Sequence, residues 1–182
     1  MKFVMDASAS RFKVQAIAMG LLSSFGHNPN IGIRGYQGEI ECAPDTYENA
    51  SVRLTVKTSA MEVLDEMKSD DRKKLEQEMY GSVLESERFP TATFESKAIK
   101  IDKMSNEMLV AHVNGNLTFH GVTNALSLDA RVTVMGTMLR ISGEFPLRQS
   151  DYSIKAFSFA GGALKLKDEV KFSFEMVARK QD

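Results

Sequence analysis

The residues that could carry out catalysis are few in this chain and lie far apart. Its 182 residues include 3 histidines and 1 cysteine. A hydrolase needs a nucleophile, a base and an orienting group, and the sequence has no Gly-x-Ser-x-Gly motif. Cys42 lies in an alternating apolar and polar run, where a free cysteine is usually a buried hydrophobic residue. We therefore predict that Cys42 packs rather than reacts, and that the protein is not an enzyme.

The histidines do not predict a metal site. His112 and His120 fall on one predicted strand face, but at ~3.3 Å per residue they are about 26 Å apart, too far to bind one ion. Gly161 and Gly162 are not followed by the Lys-Ser/Thr pair of a phosphate-binding loop. The sequence therefore predicts no cofactor.

Three polar residues in predicted loops have two interpretations each. His27 is either a turn histidine bound by backbone groups or a polar contact for the head of a ligand. Arg148 either pairs with Asp151 and pins a strand end, or contacts an anionic group, because a guanidinium fork matches phosphate or carboxylate. Asp151 would be the ion-pair partner in the first case and an acid or base in an enzyme.

Composition restricts the class of protein. Apolar residues make up 43%, charged residues 26%, and the net charge is −1, which is typical of a globular domain and disfavours nucleic-acid binding. The length suits one domain, residues 1–182. No apolar run approaches the ~20 residues of a membrane span. The first residues do not resemble a signal peptide, so we expect a cytoplasmic protein, or a periplasmic one if a leader has been removed.

Period-2 alternation dominates the chain and predicts strands. Short polar links predict hairpins between neighbouring strands, and the absence of a βαβ rhythm predicts an antiparallel sheet, as a sandwich or a closed barrel. The apolar positions change parity near Lys97, which predicts a β-bulge. The eight predicted strands are residues 11–19, 31–42, 51–58, 93–101, 108–119, 125–134, 139–147 and 170–179.

One segment, residues 69–87, predicts a helical excursion instead. Ser69 is the expected N-cap, and Asp70 and Asp71 suit the first turn. Leu75, Met79 and Val83 form a narrow apolar stripe, and Gly81 is the expected end of the first helix. Residues 152–168 are irregular and predict a long excursion near a barrel mouth.

Three motifs occur in a fixed order: Phe89-Pro90-Thr91-Ala92-Thr93-Phe94, then Gly115-Asn116-Leu117-Thr118-Phe119-His120-Gly121-Val122-Thr123, then Arg148-Gln149-Ser150-Asp151-Tyr152. Together they resemble the YceI-like family of lipocalin-type barrels. The resemblance implies an all-β, eight-stranded antiparallel barrel with one short helical excursion, which binds a polyisoprenoid, fatty acid or amide. It also implies a histidine near position 27 and pairing into a homodimer. Ser153 stands where the family usually has glycine.

The interior of such a barrel is either filled or left open for one ligand. The inward positions mix bulky residues with small ones such as Ala111, Ala130 and Gly143, and 11 methionines with no tryptophan suit an adaptable lining. We expect the small residues to leave room for a chain of fifteen or more carbons, stabilised by ~0.8 kcal/mol per CH₂. The expected ligand-binding residues are Phe12, Val14, Ala16, His27, Tyr36, Leu54, Phe94, Ala111, Leu117, Phe119, Phe145, Arg148, Phe172 and Phe174.

The leading hypothesis is thus a carrier or buffer for a long apolar molecule. Two alternatives stay open. One is an enzyme that acts on an apolar substrate with His27 or Asp151, and the other is an interaction module whose barrel is packed solid.

Overall fold

The computed structural model describes residues 1–19, 28–44, 46–156, 158–159 and 164–181. Strands dominate these described residues, which contain one α-helix, α1 (Ser69–Glu78). The strands are β1 (Lys2–Met5), β2 (Arg11–Gln15), β3 (Ala18–Met19), β4 (Asn30–Ile33), β5 (Tyr36–Glu41), β6 (Ser51–Lys57), β7 (Met61–Val63), β8 (Thr91–Lys103), β9 (Met108–Phe119), β10 (Val122–Met135), β11 (Met138–Arg148), β12 (Ser158–Phe159), β13 (Leu164–Leu166) and β14 (Glu169–Gln181).

Eight of these strands close into an antiparallel barrel. The order around the ring is β1, β5, β6, β8, β9, β10, β11 and β14. The pairing of β1 with β14, from Lys2 opposite Gln181 to Met5 opposite Ala178, closes it. A closed barrel leaves no free sheet edge in the ring. The predicted fold class is confirmed, and the barrel is favoured over the sandwich that the alternation alone left open.

The predicted strand 11–19 is two strands, β2 and β3, which belong to different sheets. β1 and β2 both pair with β14 but are separated by a 3₁₀ turn at Ala7–Ala9. Asp6 caps this turn, because its carboxylate accepts hydrogen bonds from the backbone of Ser8 at 3.1 Å and Ala9 at 3.2 Å. Hydrogen bonds from Ser8 and Arg179 lower the pKa of Asp6 to about 2.

The predicted strand 31–42 is likewise two strands, β4 and β5. The break falls at Gly35, where a Cβ atom would lie 2.5 Å from the Cβ of Ala60. The prediction also missed β1 and β7, which have only four and three residues, too few for alternation to be recognised. β2, β4 and β7 pair in that order and extend the sheet beyond the closed ring.

Two local predictions on the longer strands hold. The register of β8 against β9 shifts between Ser96 and Ala98, which confirms the bulge near Lys97. The hydroxyl of Ser96 accepts a hydrogen bond from the backbone of Val52 at 2.9 Å, so the bulge also contributes to the contact with β6. The predicted hairpins join β8 to β9 and β10 to β11.

The helical excursion exists, but its ends differ from the prediction. Lys68 occupies the N-cap and makes no side-chain cap, so Ser69 is the first helical residue rather than the cap. A π-helical turn, Met79–Val83, follows α1 directly, and Gly81 lies inside it instead of ending the helix. The helix is tied to β7, because the carboxylate of Glu76 accepts from the backbone of Val63 at 2.9 Å and the Tyr80 hydroxyl donates to the Met61 carbonyl.

Candidate functional site

An apolar cavity lies inside the barrel. The space that the centre of a water molecule could reach is about 180 Å³, and nearly all of its wall is carbon and sulfur. Strands from every part of the ring contribute, because alternate residues of each strand point inward. Of the predicted ligand-binding residues, the structure places these on the cavity wall: Phe12, Leu54, Phe94, Ala111, Leu117, Phe119, Phe145, Phe172 and Phe174.

Four other predicted residues lie off the cavity wall: Val14, Ala16, Tyr36 and Arg148. Val14, Ala16 and Tyr36 are instead buried in the core. The ring of Tyr36 packs edge-on against Phe12, with 6.1 Å between centroids. His27 lies outside the described residues.

Arg148 is the fourth, and it points away from the cavity. Its side chain is 66% exposed, and Nε lies 3.3 Å from the Asp168 carboxylate. The expected partner, Asp151, is exposed at a 3₁₀ turn, and its carbonyl accepts from Asn124 at 2.7 Å. The interpretation of Arg148 as a strand-end ion pair is therefore the better one, with Asp168, the residue before β14, in place of Asp151.

The sequence reasoning missed one end of the cavity. Met5, Ile40, Cys42, Tyr47 and Ala50 line this end. Cys42 shares the inward parity of Tyr36 and Ile40, so alternation contains the signal, and the packing predicted for Cys42 is packing in the cavity wall. Burial raises the pKa of its thiol, which keeps it protonated and unreactive at neutral pH. Cys42 is therefore part of the apolar wall.

The inward glycines do not leave the space that was expected of them. A Cβ atom on Gly115 would lie 2.5 Å from the ring of Phe94, and one on Gly143 would lie 2.7 Å from the ring of Phe174. Met5 covers Gly38 in the same way, with Sδ at 2.5 Å. Each glycine thus accommodates a bulky neighbour that lies across the sheet.

The inward alanines, unlike the inward glycines, leave space inside the cavity. Ala111 on β9 pairs directly with Ala130 on β10, and both are on the cavity wall. Ile101 lies beside Ala111 in the same row of the sheet, and Gly143 lies beside Ala130. Because two methyl groups occupy adjacent inward positions, this row is where a side chain of full size would block the cavity.

A cluster of aromatic rings forms another part of the wall. Phe145 and Phe172 stack, with centroids 5.1 Å apart and ring planes 4° from parallel. Phe12 packs against Phe172 at 5.9 Å and against Phe174 at 6.2 Å. Such rings supply a large apolar surface with few rotatable bonds.

The three sequence motifs meet at one end of the barrel. The ring of Phe89 lies 4.3 Å from that of His120, and Nδ1 of His120 donates to the carbonyl of Tyr152 at 3.2 Å. Gly121 has φ +75°, and a Cβ there would lie 2.7 Å from Phe89. Nε2 of the buried His120 lies 2.9 Å from the carboxylate of Glu85 without the alignment of a hydrogen bond. This cluster braces Phe119, whose ring lies 5.8 Å from that of Tyr152 and lines the cavity.

His112 is on the opposite side of the wall from the cavity, and the expectation that it shares a face with His120 is wrong. Its Nδ1 lies 2.7 Å from the carboxylate of Asp129 and its Nε2 lies 3.1 Å from that of Asp102. The hydrogen bond to Asp129 and then the one to Asp102 raise the pKa of His112. Among the residues that the structure describes, no group of three or more His, Cys, Asp or Glu side chains is arranged to bind a metal ion.

The helical part of the chain is short. In the described ranges, no helix has the length and apolar character needed to cross a membrane.

A comparison with protein families identifies the family to which this barrel belongs. The model of the YceI-like domain matches residues 3–178. The chain belongs to the YceI-like family. Among curated protein sequences, none matches it.

Solved structures share this fold. BcnA of Burkholderia cenocepacia is 18% identical with a TM-score of 0.75, over 95% of this chain and 98% of that one. A polyisoprenoid binding domain from Saccharophagus degradans is 13% identical with a TM-score of 0.72, over 98% of each chain. The YCEI protein of Campylobacter jejuni is 20% identical with a TM-score of 0.64, over 86% of this chain and 88% of that one. At these identities, the likeness concerns the fold.

Proposed function

We propose that this YceI-like barrel binds one long apolar chain and serves as its carrier or buffer. The observation that carries the proposal is the cavity wall, which offers almost no polar atom to a ligand. Water is a poor occupant of such a cavity, because each molecule needs two to four polar partners. An apolar chain gives up no hydrogen bonds when it enters the cavity, and the burial of its surface stabilises the complex. The polyisoprenoid binding of the Saccharophagus degradans domain supports the same class of ligand.

The cavity has room for a ligand, because the space open to the centre of a water molecule is about 180 Å³. We propose a ligand of the size expected from the sequence, a chain of about fifteen or more carbons. Burying fifteen CH₂ groups contributes about 12 kcal/mol before the entropic costs of binding are subtracted. A single chain of isoprenoid, fatty acid or fatty amide type therefore binds without a polar recognition site.

The enzyme hypothesis has less support. Asp151 is exposed on the outside of the barrel, and Cys42 has a raised thiol pKa in an apolar wall. The packed-barrel hypothesis conflicts with the volume of the cavity. Pairing into a homodimer stays a prediction, which sedimentation velocity tests.

The row of alanines provides a direct test. Ala130→Phe places a ring in the cavity beside Ala111, whereas Ala125→Phe places the same ring on the exposed outer face of the same strand. We expect Ala130→Phe to weaken the binding of a fluorescent fatty acid by roughly tenfold or more, and Ala125→Phe to leave it unchanged.

The measurement is a fluorescence titration of both variants and the parent chain, with thermal unfolding as a check that each variant is folded. Equal affinity of all three proteins would show that the apolar chain binds outside the barrel, and the proposal would fail.

A further inference from the structure

An exposed apolar patch lies on the outer rim of the barrel. Met104, Met108 and Met135 are 68%, 52% and 48% exposed, and Met138 is half-buried beside them. The backbone of Met104 donates to that of Met108 at 2.9 Å, and Met135 pairs with Met138. We refer to these four residues as the methionine patch. Single exposed apolar residues are ordinary, but a contiguous group at strand ends marks an interaction surface.

Strand parity places the methionine patch on the outside. Met108 alternates with Leu109, and Met138 alternates with Leu139, both of which line the cavity. Met108 lies opposite Thr133, two residues before Met135 on the same face of β10. Met108 and the pair Met135 and Met138 thus lie in neighbouring rows of the outer face. With Met104 they cover the ends of β8 to β11, where these strands reach their hairpin turns.

Two arginines flank the patch on the same outer face. Arg140 lies opposite Thr133, and Arg131 lies opposite Val110. In the described part of the chain, no carboxylate lies within ion-pair distance of either guanidinium group. The nearby Asp102, by contrast, already contacts Lys100 and His112. The two arginines are thus available for an anionic partner. Three acidic residues lie near them: Asp129, which contacts His112, Glu107 in the adjacent turn, and Glu175 on β14, opposite Ser142.

The methionine patch lies on the outer face of the same strand ends whose inward side chains line the cavity. Ile101, Leu109, Val132 and Leu139 belong to the same four strand ends and point into the cavity. A surface that covers the methionine patch would therefore lie against this end of the barrel. A ligand of low solubility in water has to be collected from, and returned to, a lipid phase.

We propose that the methionine patch and its two arginines dock this barrel on a lipid bilayer that contains anionic headgroups. The reason for docking rests on the proposed function, since a carrier must reach a lipid phase. The docking surface itself is defined by the methionine patch and its two arginines alone. Methionine side chains are flexible and adapt to a fluid surface without a matching shape. Arginine extends an apolar stem while its charge stays at the level of the headgroups, and a cation near an anionic leaflet contributes attraction that salt screens.

The test is flotation of the purified protein with vesicles, either of phosphatidylcholine alone or of phosphatidylcholine with phosphatidylglycerol. The parent chain binds the anionic vesicles and is released by salt. The triple variant Met104→Ser, Met108→Ser, Met135→Ser binds them roughly tenfold or more weakly. The double variant Arg131→Ser, Arg140→Ser loses roughly fivefold per arginine. The matched control, Met19→Ser with Leu64→Ser, removes two apolar side chains of 39% and 41% exposure elsewhere and binds as the parent does.

Three results would overturn the proposal: no binding of the parent chain to anionic vesicles, equal binding by the triple variant, or equal loss in the control. Sedimentation velocity of the same variants detects the competing occupant, a second copy of the chain. A dimer that disappears in the triple variant, without vesicle binding by the parent, overturns the proposal in favour of self-association. Native mass spectrometry separates this inference from the proposed function, because the triple variant retains its cavity ligand, whereas an empty cavity with intact vesicle binding contradicts the proposed function alone.

Discussion

His112 shows how a residue on the outer wall links stability to pH. Asp129 on β10 and Asp102 on β8 hold its imidazole from both sides, so one side chain joins three neighbouring strands. Both carboxylates favour the charged ring, and the pKa of His112 is raised. The pKa of Asp102 is lowered, by the hydrogen bond from Lys100 first and that from His112 second. The two directions agree, since each group favours the charged form of its partner.

The raised pKa predicts how unfolding depends on pH. The stabilisation is fully present below the ordinary imidazole pKa, about 6.5, and is lost as pH rises through the raised pKa of the folded state. Urea unfolding of the parent chain should therefore show a fall in stability above about pH 6.5 that His112→Gln lacks. An NMR titration of His112 checks the cause, and a folded-state pKa at or below the ordinary value would contradict the account.

Among the secondary-structure elements, the inward glycines connect neighbouring strands. The ring of Phe174 on β14 occupies the space above Gly143 on β11. The backbone carbonyl of Asp129 closes the same space at 2.8 Å. A side chain at position 143 would therefore compete with a ring of the cavity wall, and the fit of these two strands depends on the glycine.

We expect Gly143→Ala to lower the free energy of unfolding by about 1–3 kcal/mol, because the added methyl overpacks the interior. Gly81→Ala is the matched control, since it lies in the π-helical turn with no atom within 4 Å of the added Cβ. It should raise stability by roughly 0.5–1 kcal/mol. Urea unfolding of both variants makes the comparison. A neutral Gly143→Ala would show that Phe174 moves freely, and that the wall is less closely packed than described.

Alternation predicted the long strands well, because eleven to fourteen residues with one buried face leave a clear period of two. It failed where short-range chemistry interrupts a strand. The close approach of Gly35 to Ala60 breaks the predicted strand 31–42 without disturbing the order of apolar residues. The prediction that Gly81 ends the helix was also wrong, because α1 continues into a π-helical turn that includes Gly81.

On the scale of the whole molecule, the candidate site could be predicted in part. Parity identified Phe94, Ala111 and Phe172 as inward, and the structure places them on the cavity wall. Parity alone could not show that Phe94 and Phe174 occupy the space of the glycines, because that depends on the register between strands. The meeting of Phe89, His120 and Tyr152 was equally hidden, since each belongs to a different part of the chain.

The central claim, that the barrel binds one long apolar chain, is tested most directly on the purified protein itself. Native mass spectrometry gives the mass of the intact complex, and organic extraction followed by mass spectrometry gives the ligand. We predict one long-chain apolar molecule per barrel, and its loss in Ala130→Phe. A mass equal to that of the chain alone, with no thermal stabilisation by added isoprenoids or fatty acids, would contradict the account.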